Sequence, residues 1–139
     1  MAKPPEYVEL SIGADLPQLG WEPSRAVLIL DRAVEPSWQE RASEWLISIG
    51  CLYMMAWGEG CSSWDDSVDY ANVRAFIPGD IPEDKAVMTP WHESEELSEV
   101  FRFSKKFAFH PTAELTRTVL VNVGTGLRRA DLLAQYADA

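Results

Sequence analysis

Cysteine and histidine are scarce, two of each in 139 residues. A zinc centre would have to draw its four ligands from Cys51, Cys61, His92 and His110, which show no paired short spacing, so none is expected. Cys51 opens an apolar run and Cys61 follows its end. At roughly 3.3 Å per residue the two stand about 20 Å apart, beyond the roughly 7 Å that a disulfide spans, and both thiols are expected to be free. Long hydrophobic runs are missing too: residues 49–57 make up about half of the roughly 20 that a membrane-spanning helix needs. The start, Met1-Ala2-Lys3-Pro4-Pro5-Glu6, lacks the basic and apolar stretches of a secretion signal, which points to the cytoplasm.

Positive charge is short as well. Lys and Arg total 12 against 22 Asp and Glu, a formal net charge of −10. Such a surface repels phosphate backbones and anionic lipid, so neither nucleic acid nor membrane is an expected partner. A basic protein is the natural complement, although acidity also serves plain solubility. No repeat, low-complexity tract or long linker divides the chain. With 47% apolar and 24% charged residues, it reads as one globular domain over residues 1–139 that needs no metal or disulfide to hold it together.

What the sequence does contain is an alternation of apolar strands and amphipathic helices. Residues 26–30, 51–57, 86–89 and 118–123 read as buried strands, the third a short one, each followed by a helical pattern. Trp38, Ala42, Trp45 and Ile49 recur at helical spacing after Pro36, and Gly50 stops that helix. A second helix is expected to start at Ser62 or Ser63, with Asp65 or Asp66 completing a capping box, and to run to about Phe76. A third runs from about Glu93 to His110, with Leu97, Val100, Phe101 and Ser104 facing inward and acid-to-base polarity matching the helix dipole. The last carries Leu127, Leu132, Leu133 and Tyr136. Residues 7–12 alternate, as an edge strand would. The pattern predicts a three-layer α-β-α sandwich, flavodoxin-like or receiver-like, on a mostly parallel sheet of four or five strands. Numbered along the chain without the edge strand, the order expected is 2-1-3-4.

Val27-Leu28-Ile29-Leu30-Asp31 and the helix after it resemble the start of a bacterial receiver domain. The resemblance covers those two elements alone. A receiver's phosphoacceptor aspartate would stand at the end of the third strand, where this chain has Thr89, Pro90 and Trp91, so phosphorelay is not implied.

In a parallel sheet, ligands bind beside the carboxyl ends of the strands. That rim would carry Asp31, Trp57, Glu59, Cys61, Trp64, Asp65, Asp66, Trp91, His92 and Glu93. Cys61 in a strand-to-helix turn, with His92 as base and Glu59 or Glu93 as orienter, has the residue types of a Cys-His-acid hydrolase. Against this, Glu59, Asp65 and Asp66 would raise the thiol pKa, and a free cysteine is more often a packing residue. Asp65, Asp66 and Asp69 invite a divalent cation, but carboxylates in a helix's first turns serve the dipole without one; no metal or cofactor is expected. Gly124-Thr125-Gly126 with Arg128 and Arg129 could cradle a phosphate, a weak motif by itself. Trp57, Trp64 and Trp91 map to one end of the sheet, as binding anchors or as a small core under the loops. The leading expectation is a noncatalytic protein-interaction or regulatory module, inhibitor-like or immunity-like, that binds a basic partner. The alternative is a small enzyme or nucleotide-binding domain using the strand-end crevice.

Overall fold

A computed structural model describes residues 3–124 and 128–139. Among these residues the strands are β1 (Glu6–Leu10), β2 (Ser24–Leu30), β3 (Cys51–Gly58), β4 (Trp91–His92) and β5 (Arg117–Val123). The helices are α1 (Pro36–Ser48), α2 (Trp64–Phe76), α3 (Leu97–Lys106) and α4 (Arg129–Asp138). The strands form one all-parallel sheet in the order β1-β5-β2-β3-β4.

The continuous apolar runs form the interior strands. β5 is buried throughout, and β2 everywhere but Arg25. Their side chains alternate between two half-cores. Ala26, Leu28 and Leu30 pack with Met54, Ala56 and the residues of α1 and α2; Val27 and Ile29 pack with Met55, α3 and α4. This is the three-layer sandwich. Trp38 and Trp45 pack α1 as its periodicity implies, and their indole N–H groups donate to the Ala14 and Pro17 carbonyls, pinning the β1–β2 connection over α1. Gly50 ends that helix at φ +92, where an added Cβ would lie 2.3 Å from the Glu22 carbonyl oxygen.

The strand order differs from expectation. The chain steps from β2 to β3 to β4 with α1 and α2 on one face, then returns under α3 to place β5 on the other side of β2. Right-handed crossovers permit either order, and periodicity carries no information about which neighbour a strand takes. β1 covers the outer edge of β5, which explains how β5 is wholly buried.

β4 is also displaced. Only Met88 of residues 86–89 bridges to Tyr53, and the strand itself is Trp91–His92. Pro90 is the cause. Met88 exchanges bonds with Leu52 and Met54, and Pro90 accepts from Ala56, but proline has no N–H to continue the ladder. Trp91 and His92 are therefore strand, and Glu93 and Glu95 lie in the turn before α3 rather than in its first turn. The capping box expected at α2 does not form either. Ser63 continues a 3-10 turn over Cys61–Ser63 with helical φ and ψ, and its hydroxyl donates to the Gly60 carbonyl.

Candidate functional site

In a doubly wound sheet the crevice opens where strand order reverses, here between β2 and β5. At that point Asp31 accepts from Arg128 at 3.2 Å. Gly124 makes room for it: at φ +147, an added Cβ would lie 2.2 Å from an Asp31 carboxylate oxygen. Arg128 and Arg129 belong also to a neighbouring cleft of ≈ 500 Å³ walled by Tyr7 and Glu9. The Arg129 guanidinium lies 5.8 Å from the centre of the Tyr7 ring. Burial, and next the Glu9 carboxylate, push the Tyr7 phenol above its ordinary pKa. Behind these side chains lies Asn122, paired in register with Glu9 and Ile29 and fully buried. Its amide makes no hydrogen bond of ordinary geometry among the described residues, yet it lies close enough to the Tyr7 phenol to work against that rise in pKa. Of the Gly124-Thr125-Gly126 turn, Thr125 and Gly126 lie outside the described residues, as does Leu127.

The Cys61–His92 pair is not assembled. Cys61 packs into the half-core of α1 and α2 with Trp64 and Val68. Burial, and next the Glu93 carboxylate, push its thiol above the ordinary value and hold it protonated. His92 is paired in register with Trp57, so its imidazole points to the opposite face, that of α3 and α4. There its Nδ1 lies 2.9 Å from Glu95 Oε2, and Phe103 meets the ring edge-on. Its Nε2 has no partner among the described residues.

The tryptophans diverge in the same way. Trp64 is fully buried under α2. Trp57 is half-buried on the α3 face and donates to the Glu95 carbonyl. Trp91, opposite Ala56 in register, lies on the α2 face at the sheet edge and is 45% exposed. Glu59 and Glu93 are exposed. Asp65, Asp66 and Asp69 place carboxylate oxygens within 4.8 Å of one another at the start of α2. Burial, and then its two acidic neighbours, push Asp69 up, against the opposing effect of the Thr89 hydroxyl that donates to it at 3.1 Å. The rim is thus split into an acidic, aromatic edge formed by α2 and β4 and a mixed-charge crevice at β1, β5 and β2.

Sequence reasoning missed Asn122, although a lone polar residue in the run Val119-Leu120-Val121-Asn122-Val123 is a readable signal. It also missed the apolar side chains that α2 turns outward. No curated protein and no solved structure matches the chain. Residues 5–139, nearly the whole sequence, match the domain of unknown function DUF7684, and the chain belongs to that family.

Proposed function

We propose that this protein is a noncatalytic interaction module, regulatory in the manner of an inhibitor or immunity protein, that docks a basic protein partner on the side formed by α2 and β4. The observation that carries the reading is an apolar stripe beside unneutralised acid. Tyr70, Val73 and Ile77, at helical spacing along α2 and its end, are 66%, 46% and 63% exposed. Asp66 and Asp69 stand one turn before Tyr70 and Val73 on the same helix, with Asp65 beside them and Glu93 near Cys61 just before the helix starts. None of these four has an ion-pair partner among the described residues. An apolar centre with a charged rim is the usual anatomy of an interface, and an exposed tryptophan such as Trp91 is a typical anchor.

The test is capture of partners at low and high salt, followed by reconstitution from purified components. Combined Asp65→Asn, Asp66→Asn and Asp69→Asn substitution is expected to weaken the reconstituted complex at least about tenfold, and Trp91→Ala by about thirtyfold, the effect of a hot spot of roughly 2 kcal/mol. A complex indifferent to salt and to the amide substitutions, or failure to reconstitute any complex, overturns the reading.

Asn122 favours a second reading, a small enzyme or nucleotide-binding domain that uses the crevice at Asp31 and Arg128. A buried carboxamide that makes no hydrogen bond of ordinary geometry among the described residues and sits beside the Tyr7 wall of the cleft is the kind of group a ligand would satisfy. Nucleotides and small amides would then raise the unfolding midpoint, by about 2.7 kcal/mol of stability at a hundredfold excess over Kd, and Arg128→Gln would abolish the shift. No shift from any of these compounds removes this reading.

A further inference from the structure

We infer that the partner supplies an extended basic segment that adds to the sheet as a further parallel or antiparallel strand along β4. This rests on the interaction reading above and names its mode. Along residues 88–92 the hydrogen-bonding direction alternates. Met88 N–H donates to Leu52, the Met88 carbonyl accepts from Met54, and the Pro90 carbonyl accepts from Ala56. The even-numbered residues therefore face β3, and the backbone N–H and C=O groups of Thr89 and Trp91 point away from the sheet. β4 is the last strand in the order, so no strand among the described residues covers them.

Edges of this kind pair with any extended chain unless something discourages it. Here the discouragement is selective. Asp65, Asp66 and Asp69 crowd the α2 side of the edge, tied to it by the Thr89–Asp69 hydrogen bond, and Glu93 follows at its end. A second copy of this chain would set carboxylates against carboxylates, whereas a lysine- or arginine-bearing segment would neutralise them. Met88 on one face and Trp91 on the other, 40% and 45% exposed, give an incoming strand an apolar contact on each side of the pleat. The missing N–H of Pro90 faces β3, so it costs the outer edge nothing.

The probe is a short peptide in which lysine and valine alternate, with two further versions methylated at the backbone nitrogens of either the lysines or the valines. Charge is the same in all three, and only the versions' ability to donate from one strand edge differs. One methylated version is expected to bind at least about tenfold more weakly than the other. In the protein, Thr89→Pro removes one outward N–H and should weaken the unmethylated peptide similarly, whereas Thr89→Val should not. If Thr89→Pro fails to fold, the methylated pair decides alone. Equal binding by both methylated peptides, or no binding by any, overturns strand addition and leaves the acidic-surface reading to the carboxylate variants. A dimer in sedimentation that Thr89→Pro dissolves also overturns it, by making a second copy the occupant.

Discussion

Asn122 stands at the penultimate position of a wholly buried strand, and its amide, with the Tyr7 phenol nearby, makes no hydrogen bond of ordinary geometry among the described residues. Burying such a group unpaired carries a penalty of about 1–3 kcal/mol. Asn122→Leu, nearly isosteric, is therefore expected to raise stability by about 1 kcal/mol, a midpoint rise of about 4 °C in a thermal melt. A fall would mean that the amide is satisfied in solution. Asp69 yields a prediction with a definite sign. Its folded pKa is raised above the ordinary 3.8, so between those values the native state holds more protons than the unfolded chain. Stability attributable to Asp69 is present below 3.8 and lost as pH rises through the folded value. Asp69→Asn should flatten that stretch of the stability–pH profile measured by urea unfolding, and an unchanged profile would reject the assignment. Gly124→Ala forces a side chain into the Asp31 carboxylate at a backbone angle alanine resists, and should lower the urea midpoint by the equivalent of more than about 1 kcal/mol.

Among the elements, β4 depends on α2 for its position. Asn72 in α2 donates to the Lys85 carbonyl at 3.1 Å and accepts from the Val87 N–H at 3.0 Å, holding the strand's lead-in against the helix. Asn72→Ala orphans both groups and is expected to destabilise by about 2 kcal/mol, with amide exchange accelerating at Val87 and Met88 before the rest of the sheet. Uniform acceleration would show that β4 unfolds only with the whole. The elements also show what the sequence made legible. β2, α1, β3 and β5 announce themselves because a mainly apolar run or a tryptophan repeat has one favourable solution. β4 does not, because Pro90 cuts its hydrogen-bond ladder inside a run whose composition still reads as strand. The candidate dyad failed for a related reason: rim height follows from strand ends, but the face a side chain takes depends on register, where one residue reverses it. His92 points to one half-core and Cys61 lies in the other.

Over the whole molecule the formal charge of −10 opposes compactness. Moderate sodium chloride should raise the thermal midpoint by screening that repulsion, most at low ionic strength and little beyond the range where the Debye length falls to about 10 Å. A midpoint that falls with salt would mean that attractive pairs outweigh the excess of acid. The layered architecture was readable from the alternation of elements, whereas the spatial order of the strands was not, because it is decided by which face each crossover helix covers.

The sheet is a partition, and both cysteines lie on one side of it, among the side chains beneath α1 and α2. Burial pushes Cys51 up to about 12 and raises Cys61 as well, so neither sulfur is nucleophilic while that compartment stays shut. A thiol-labelling reagent would therefore time the breathing of one half of the interior and remain blind to the other, where Tyr136 and Phe101 meet edge to face.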